Sequence, residues 1–158
     1  MFGGMQRFDT RQGNAQQRFK LISAVHLILL SDGMVLLQRR SNTGYEDGNY
    51  SVIAGHLDGN ETVTDAVVRE AMEEAAIIVA RDKLRLVHVM HRKATDERVD
   101  FFCVATEWNG EPRIAEPLKC SELRWFRPDD LPSNLISYVR SAIDSSLAGI
   151  EFSEFGWD

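Results

Sequence analysis

Cysteine is nearly absent: Cys103 and Cys120 are the only two in 158 residues. Two thiols cannot build the multi-bridge framework of a small secreted domain, so the fold must rest on an apolar core, and a reducing cytoplasm is the expected compartment. Proline is also scarce, with four in all. No proline-rich tract, low-complexity run or internal repeat divides the chain, and its length suits one domain. Long apolar runs are missing too. Leu21–Leu30, LISAVHLILL, is too short to cross a bilayer as a helix and reads as a buried strand, so no membrane partner is expected. The start, MFGGMQRFDT, lacks the apolar stretch of a secretory leader. Positive charge is in deficit: 18 Lys and Arg against 24 Asp and Glu leave a net charge of −6. That argues against nucleic acid as a partner and leaves phosphorylated small molecules, whose charge a metal can neutralise locally.

What is present divides into three parts. Residues 1–18 are rich in Gln, Gly, Arg and Asn without periodicity, and a flexible arm is expected there. Residues 19–150 carry the patterned elements. Leu21–Leu30 and Met34–Arg40 flank the turn Ser31-Asp32-Gly33 and read as a hairpin. A short strand follows at Tyr50–Ile53, then further strands at Leu84–Lys93, Arg98–Trp108 and Glu122–Phe126. Thr62 with Asp65 three residues later marks the start of a first helix. Leu135, Val139, Ile143 and Leu147 recur at helical spacing and mark a second. Strands and helices mixed in this way predict an α/β domain with a mixed sheet covered by helices. Residues 151–158, EFSEFGWD, form a tail with three aromatics. Either it docks, on the body or on a second copy as a homodimer, or it is a free end.

The chemistry concentrates in Gly55–Ile77, GHLDGNETVTDAVVREAMEEAAI. Glu70, Glu73 and Glu74 stand at i, i+3 and i+4 and share one side of a helix. Val63, Ala66 and Val67 fall on that same side, which the apolar pattern turns inward. Three carboxylates so placed repel one another and lose hydration, which raises their pKa unless a positive charge joins them. An oxygen-only set suits a hard divalent cation, Mg²⁺ or Mn²⁺. The plainer alternative is a solvated acidic face with Arg69 as counter-charge.

Gly55, five residues, Glu61, seven residues, Arg69-Glu70, then Glu73-Glu74 and Ile77 resembles the Nudix box. Every charged position matches, and Ala76 stands where that family usually has Gly. The resemblance covers roughly residues 21–147. It implies an α/β/α sandwich and hydrolysis of a nucleoside diphosphate linked to another group, by water attack on phosphorus. It further implies Glu70, Glu73 and Glu74 as metal ligands and catalytic residues, with Glu70 a candidate general base. A backbone carbonyl at Ala54 or Gly55 would join them, with one loop acid, Glu116, for which Glu97 is a rival. Glu61 and Arg69 would form a structural pair. Arg39 and Arg40 at a strand end, with His56 beside Gly55 and His91, are candidates for substrate contact. Tyr45, Tyr50, Trp125 and Tyr138 are candidates for stacking, while His26 reads as core. Markers of several Nudix subgroups are missing, and the MutT-like layout favours a small-molecule nucleotide, a (deoxy)nucleoside triphosphate. The competing functions are a non-catalytic nucleotide-binding regulator and an isopentenyl diphosphate isomerase of the same fold. Retention of every box carboxylate speaks against the regulator. The lack of an obvious catalytic cysteine speaks against the isomerase.

Overall fold

The computed structural model describes residues 18–158, so the arm expected over residues 1–18 lies outside the described residues but for its last. Eight strands and two α-helices follow in order, with a short 3-10 turn at Arg81–Lys83 after the first helix: β1 (Ile22–Ser31), β2 (Met34–Arg40), β3 (Tyr50–Ser51), β4 (Ile53–His56), α1 (Val63–Ala75), β5 (Arg85–Lys93), β6 (Glu97–Ala105), β7 (Cys120–Phe126), α2 (Ser137–Leu147) and β8 (Phe152–Phe155). The strands form one mixed sheet in the order β3-β2-β1-β6-β5-β8, with β4 also beside β1 and β7 beside β2. β1 with β6 and β5 with β8 are parallel, and the other pairs are antiparallel. The hairpin expected between β1 and β2 turns on Asp32 and Gly33, both at positive φ. That is the turn geometry whose twist suits two strands, and an Asp-Gly pair reaches it cheaply.

β1 is apolar on both sides because both sides are covered. Val25, Leu27 and Leu29 pack with Ala66, Val67, Ala71 and Ala75 of α1. Ile28 packs with Met90, Phe102 and the α2 residues Val139, Ala142 and Ile143. The helices therefore lie on opposite faces, giving the α/β/α sandwich that alternation along a doubly covered strand produces. Further along the α2 face, two residues past Ile28, Phe102 and Met90, the same strands carry His26, Asp100 and Arg92. All three are buried. The apolar layer thus gives way to a charged one near one end of the sheet.

The last eight residues are not a separate tail. Phe152–Phe155 pairs with Val89–Arg92 as the edge strand β8, and the Trp157 indole N–H donates to His91 O at 3.1 Å. Phe155 packs against the α2-side core and Trp157 lies beside His91, while Phe152 stays exposed, so the tail docks on its own chain. Among the described residues no helix is long and apolar enough to cross a membrane.

Candidate active site

α1 begins where its sequence demands. The Thr62 side chain accepts the Asp65 N–H and the Asp65 carboxylate accepts the Thr62 N–H, a reciprocal cap that satisfies two otherwise unpaired donors. The helix ends at Ala76, which stands in the left-handed region at φ 54, ψ 35. The exit is therefore the one a glycine would make, adopted by a residue that is strained there.

The small residues of α1 bring it close to β4, and this sets the carboxylates. Glu70 is buried with its carboxylate against Gly55; a Cβ on Gly55 would overlap it, so only glycine fits at that point. Gly55 has no positive φ, and what requires it is this close approach. Glu74 accepts from Ala54 N–H at 2.9 Å and from Gln38 Nε2 at 2.8 Å. Gln38 is itself buried in β2 and donates also to Val52 O at 3.2 Å. Glu73 is half exposed.

Arg69 supplies the cluster's positive charge and divides it among several acids. Its Nε and Nη2 bind Glu61 at 3.1 and 2.8 Å, the two-point pair expected from the sequence. Nη2 also reaches His56 O at 3.1 Å, while Nη1 reaches Glu70 at 2.6 Å and Glu73 at 3.3 Å. These bonds hold Arg69 protonated well above the ordinary range and hold Glu61 below it. The loop after β6 closes the other side. Arg113 N–H and Ala115 N–H donate to Ala75 O and Glu74 O, fixing the loop on the end of α1. That brings the charge of Glu116 within reach of Glu70 and Glu74, and Glu116 takes Lys119 Nζ at 2.9 Å.

The balance of these effects leaves too little positive charge. Burial raises the pKa of Glu70; Arg69 opposes the rise, and Glu73 and Glu116 add to it. Burial pushes Glu74 up to about 7 against the bonds from Ala54 and Gln38, again with help from Glu70 and Glu116. Among the described residues no three acidic, histidine or cysteine side chains already stand at metal-binding spacing. The reason is visible: Arg69 draws Glu70 and Glu73, while Glu74 is tied to β4 and β2. The donor set still fits a divalent cation, because its side-chain donors are carboxylate oxygens in excess of the charge Arg69 offers.

Beside Glu74 and Gly55 opens a cavity of about 370 Å³, with Arg40, Tyr45, His56, Arg92 and Tyr138 among its walls. Of the residues expected at the substrate, Arg40 and His56 line it and two do not. Arg39 is exposed on the other side of β2 and donates to Gly48 O. His91 packs against Trp157 with ring centroids 4.6 Å apart, because strand alternation turns it to the face opposite its neighbour Arg92. Glu97, the rival to Glu116, pairs with Lys93 instead. Tyr50 donates to Glu122 and Trp125 stacks on Trp108, so neither joins the cavity. Not read from the sequence were Gln38 and, on the floor of the cavity, Arg92 and Asp100, with His26 taken only as core; Tyr138, a stacking candidate, does line the cavity. There Asp100 accepts from Arg92 Nε at 2.6 Å and pairs with His26 Nε2 at 3.1 Å, and the Arg92 guanidinium lies 3.9 Å from the centre of the Tyr138 ring.

Comparison with known proteins agrees with this geometry. The family model described as the NUDIX domain matches residues 20–144. The NAD-capped RNA hydrolase NudC of Shigella flexneri is 32% identical over 101 residues, 64% of this chain. The chain spans only 37% of that relative's length. The crystal structure of a MutT NUDIX hydrolase from Burkholderia pseudomallei superposes with TM-score 0.74 at 29% identity, covering 80% of this chain and 98% of that one. The MutT protein of Methanosarcina mazei Go1, 17% identical with TM-score 0.69 over 81% of this chain and 94% of that one, shares the fold. With the box, the sandwich and the family match in agreement, the chain belongs to the NUDIX domain family.

Proposed function

We infer that the protein is a metal-dependent pyrophosphohydrolase of the Nudix type, cleaving a nucleoside diphosphate linked to another group, with a nucleoside triphosphate as the favoured substrate. The observation that carries this is the under-compensated cluster of Glu70 and Glu74 beside a cavity walled by Arg40, Arg92 and His56. Glu70, Glu73 and Glu74 would hold Mg²⁺ or Mn²⁺, with the Gly55 segment and Glu116 alongside. The ion, when bound, supplies charge neutralisation on the phosphates and a more acidic water. The chain's own groups supply the rest. A carboxylate not fully occupied by the ion would take the proton from the attacking water, and Glu70 is the candidate base. Arg40 and His56, which line the cavity, would orient phosphate oxygens, which guanidinium groups bind well. Glu61 and Arg69 brace the loop that carries Gly55. Buried, unpaired Cys103 and Cys120 suit a reducing cytoplasm. The net charge of −6 favours a free nucleotide over an RNA end.

The test is a panel of nucleoside triphosphates and other nucleoside diphosphate compounds with Mg²⁺, scored for phosphate and pyrophosphate release. Turnover that stops in excess chelator is expected. No turnover on any member would favour the regulator instead, and full turnover in chelator would remove the metal from the mechanism.

A further inference from the structure

Gln38 reaches the carboxylate centre from outside the cavity. Leu36, two residues before it on β2, packs in the α1-side core, so strand alternation turns Gln38 to the same face. Its strand is held from both sides, with Ser51 of β3 and Leu123 of β7 as register partners. The side chain is 6% exposed and is not among the cavity's walls. Its Nε2 donates to Glu74 Oε2 at 2.8 Å and to Val52 O at 3.2 Å. A carboxylate and a carbonyl can only accept, so the amino end of the amide is the end that faces them.

Ala54 N–H donates to the same Glu74 oxygen at 2.9 Å, so Oε2 is taken by two donors from two strands. Glu74 Oε1 makes no hydrogen bond among the described residues and is not among their fully buried unpaired atoms. Glu74 lines the cavity, so Oε1 is the oxygen it offers there. A glutamate carboxylate turns easily about its last torsion, and an ion that binds a loose one has to order it first. Two donors on one oxygen remove that cost in advance. A group that fixes a ligand in this way without touching the ion commonly carries about ten- to a hundredfold in metal affinity or activity.

We propose that Gln38 is the positioning residue for Glu74: with Ala54 N–H it holds Oε2, and so presents Oε1 to the divalent cation. The proposal rests on the metal-dependent reading for the identity of that ligand. It is tested with Mn²⁺ alone, titrated into the metal-free protein and followed by the EPR signal of the free ion. Gln38→Met keeps the volume and loses both donated bonds. It should raise the Mn²⁺ Kd at least about tenfold, with melting in chelator within about 5 °C of wild type. On a nucleoside triphosphate it should lower kcat at least about tenfold and leave KM within about threefold, because Gln38 does not line the cavity. If Gln38→Met does not fold, the wild type decides. Its Gln38 side-chain amide protons should exchange slowly with solvent and shift when Mg²⁺ is added, and fast exchange or an unmoved resonance overturns the proposal. An unchanged Mn²⁺ Kd in folded Gln38→Met overturns it and leaves the metal-dependent reading intact. No saturable Mn²⁺ binding to the wild type overturns both.

Discussion

Two buried acidic centres lie close together at this end of the sheet and are built in opposite senses. Asp100, fully buried, is met by Arg92 and His26; burial alone would raise its pKa, and their hydrogen bonds outweigh that and hold it below the ordinary range. Glu70 and Glu74, also desolvated, have only a share of Arg69 and two neutral donors, and their pKa values rise. Both centres contain carboxylates, but only one is electrically complete. A complete centre is a fixed feature that can position a neighbour. An incomplete one is a vacancy in charge that an incoming cation or proton fills.

If the comparison is right, removing charge has opposite consequences at the two centres. The largest effect on stability is expected from Asp100→Asn. It leaves the Arg92 guanidinium buried without its counter-ion, and a loss of about 3–5 kcal/mol in a denaturant titration is expected. A near-neutral result would mean that the centre is not the tightly compensated unit described here.

Next in size, Glu74→Gln should cut kcat more than about a hundredfold, roughly 3 kcal/mol of transition-state stabilisation, with an unchanged or higher melting temperature without metal. Arg69→Ala should do the reverse of this in stability, losing about 1–3 kcal/mol because Glu61, Glu70 and Glu73 lose their shared partner. Early melting of Glu74→Gln with normal folding of Arg69→Ala would invert the assignment of chemical and architectural roles.

The same contrast predicts a pH dependence. Glu74 rises from the ordinary 4.5 to about 7 in the folded chain. Across that window the folded state keeps a proton that the unfolded state has lost, so metal-free stability falls as pH rises, by up to about 3 kcal/mol. Asp100 acts the other way and elsewhere: its stabilisation is present above the ordinary 3.8 and is lost as pH falls through its lowered value. Melting curves at pH 5 and pH 8 in chelator should show the fall in wild type and a much smaller one in Glu74→Gln. A rise would contradict the account of Glu74.

The smallest expected effect concerns the helix end. Ala76→Gly should stabilise by about 1 kcal/mol, since glycine occupies the left-handed region without the cost that alanine bears. An unchanged or lower melting temperature would show that the Ala76 side chain contributes more than its strain removes.

The difference between the two centres also explains what the sequence could reveal. The carboxylate cluster lies on one helix, where a spacing of three and four residues translates directly into a shared face, so Glu70, Glu73 and Glu74 were legible from the chain. The Glu61–Arg69 pair and the Thr62–Asp65 cap were legible for the same reason of short range. The floor draws His26, Arg92 and Asp100 from three strands, and the partners of one bond stand 74 positions apart. No local pattern joins them. The only signal was a polar residue two positions beyond an apolar one in each of those strands. The error at His91 is of the same kind: a strand has a period of two, and one residue's displacement exchanges the face toward Trp157 for the face toward the cavity. Gln38 announced itself only as a lone amide in the apolar run VLLQRR. The edge strand β8 was hidden because its partner, β5, lies about sixty residues earlier in the chain.

The most direct test of the incomplete carboxylate centre is calorimetric titration of the metal-free protein with Mg²⁺ at pH 7, in buffers of different ionisation enthalpy. Saturable binding is expected, with an apparent heat that varies with the buffer because the cation displaces protons from the cluster; in Glu74→Gln that variation should shrink sharply. Absence of saturable binding, or a heat independent of the buffer, would contradict the account.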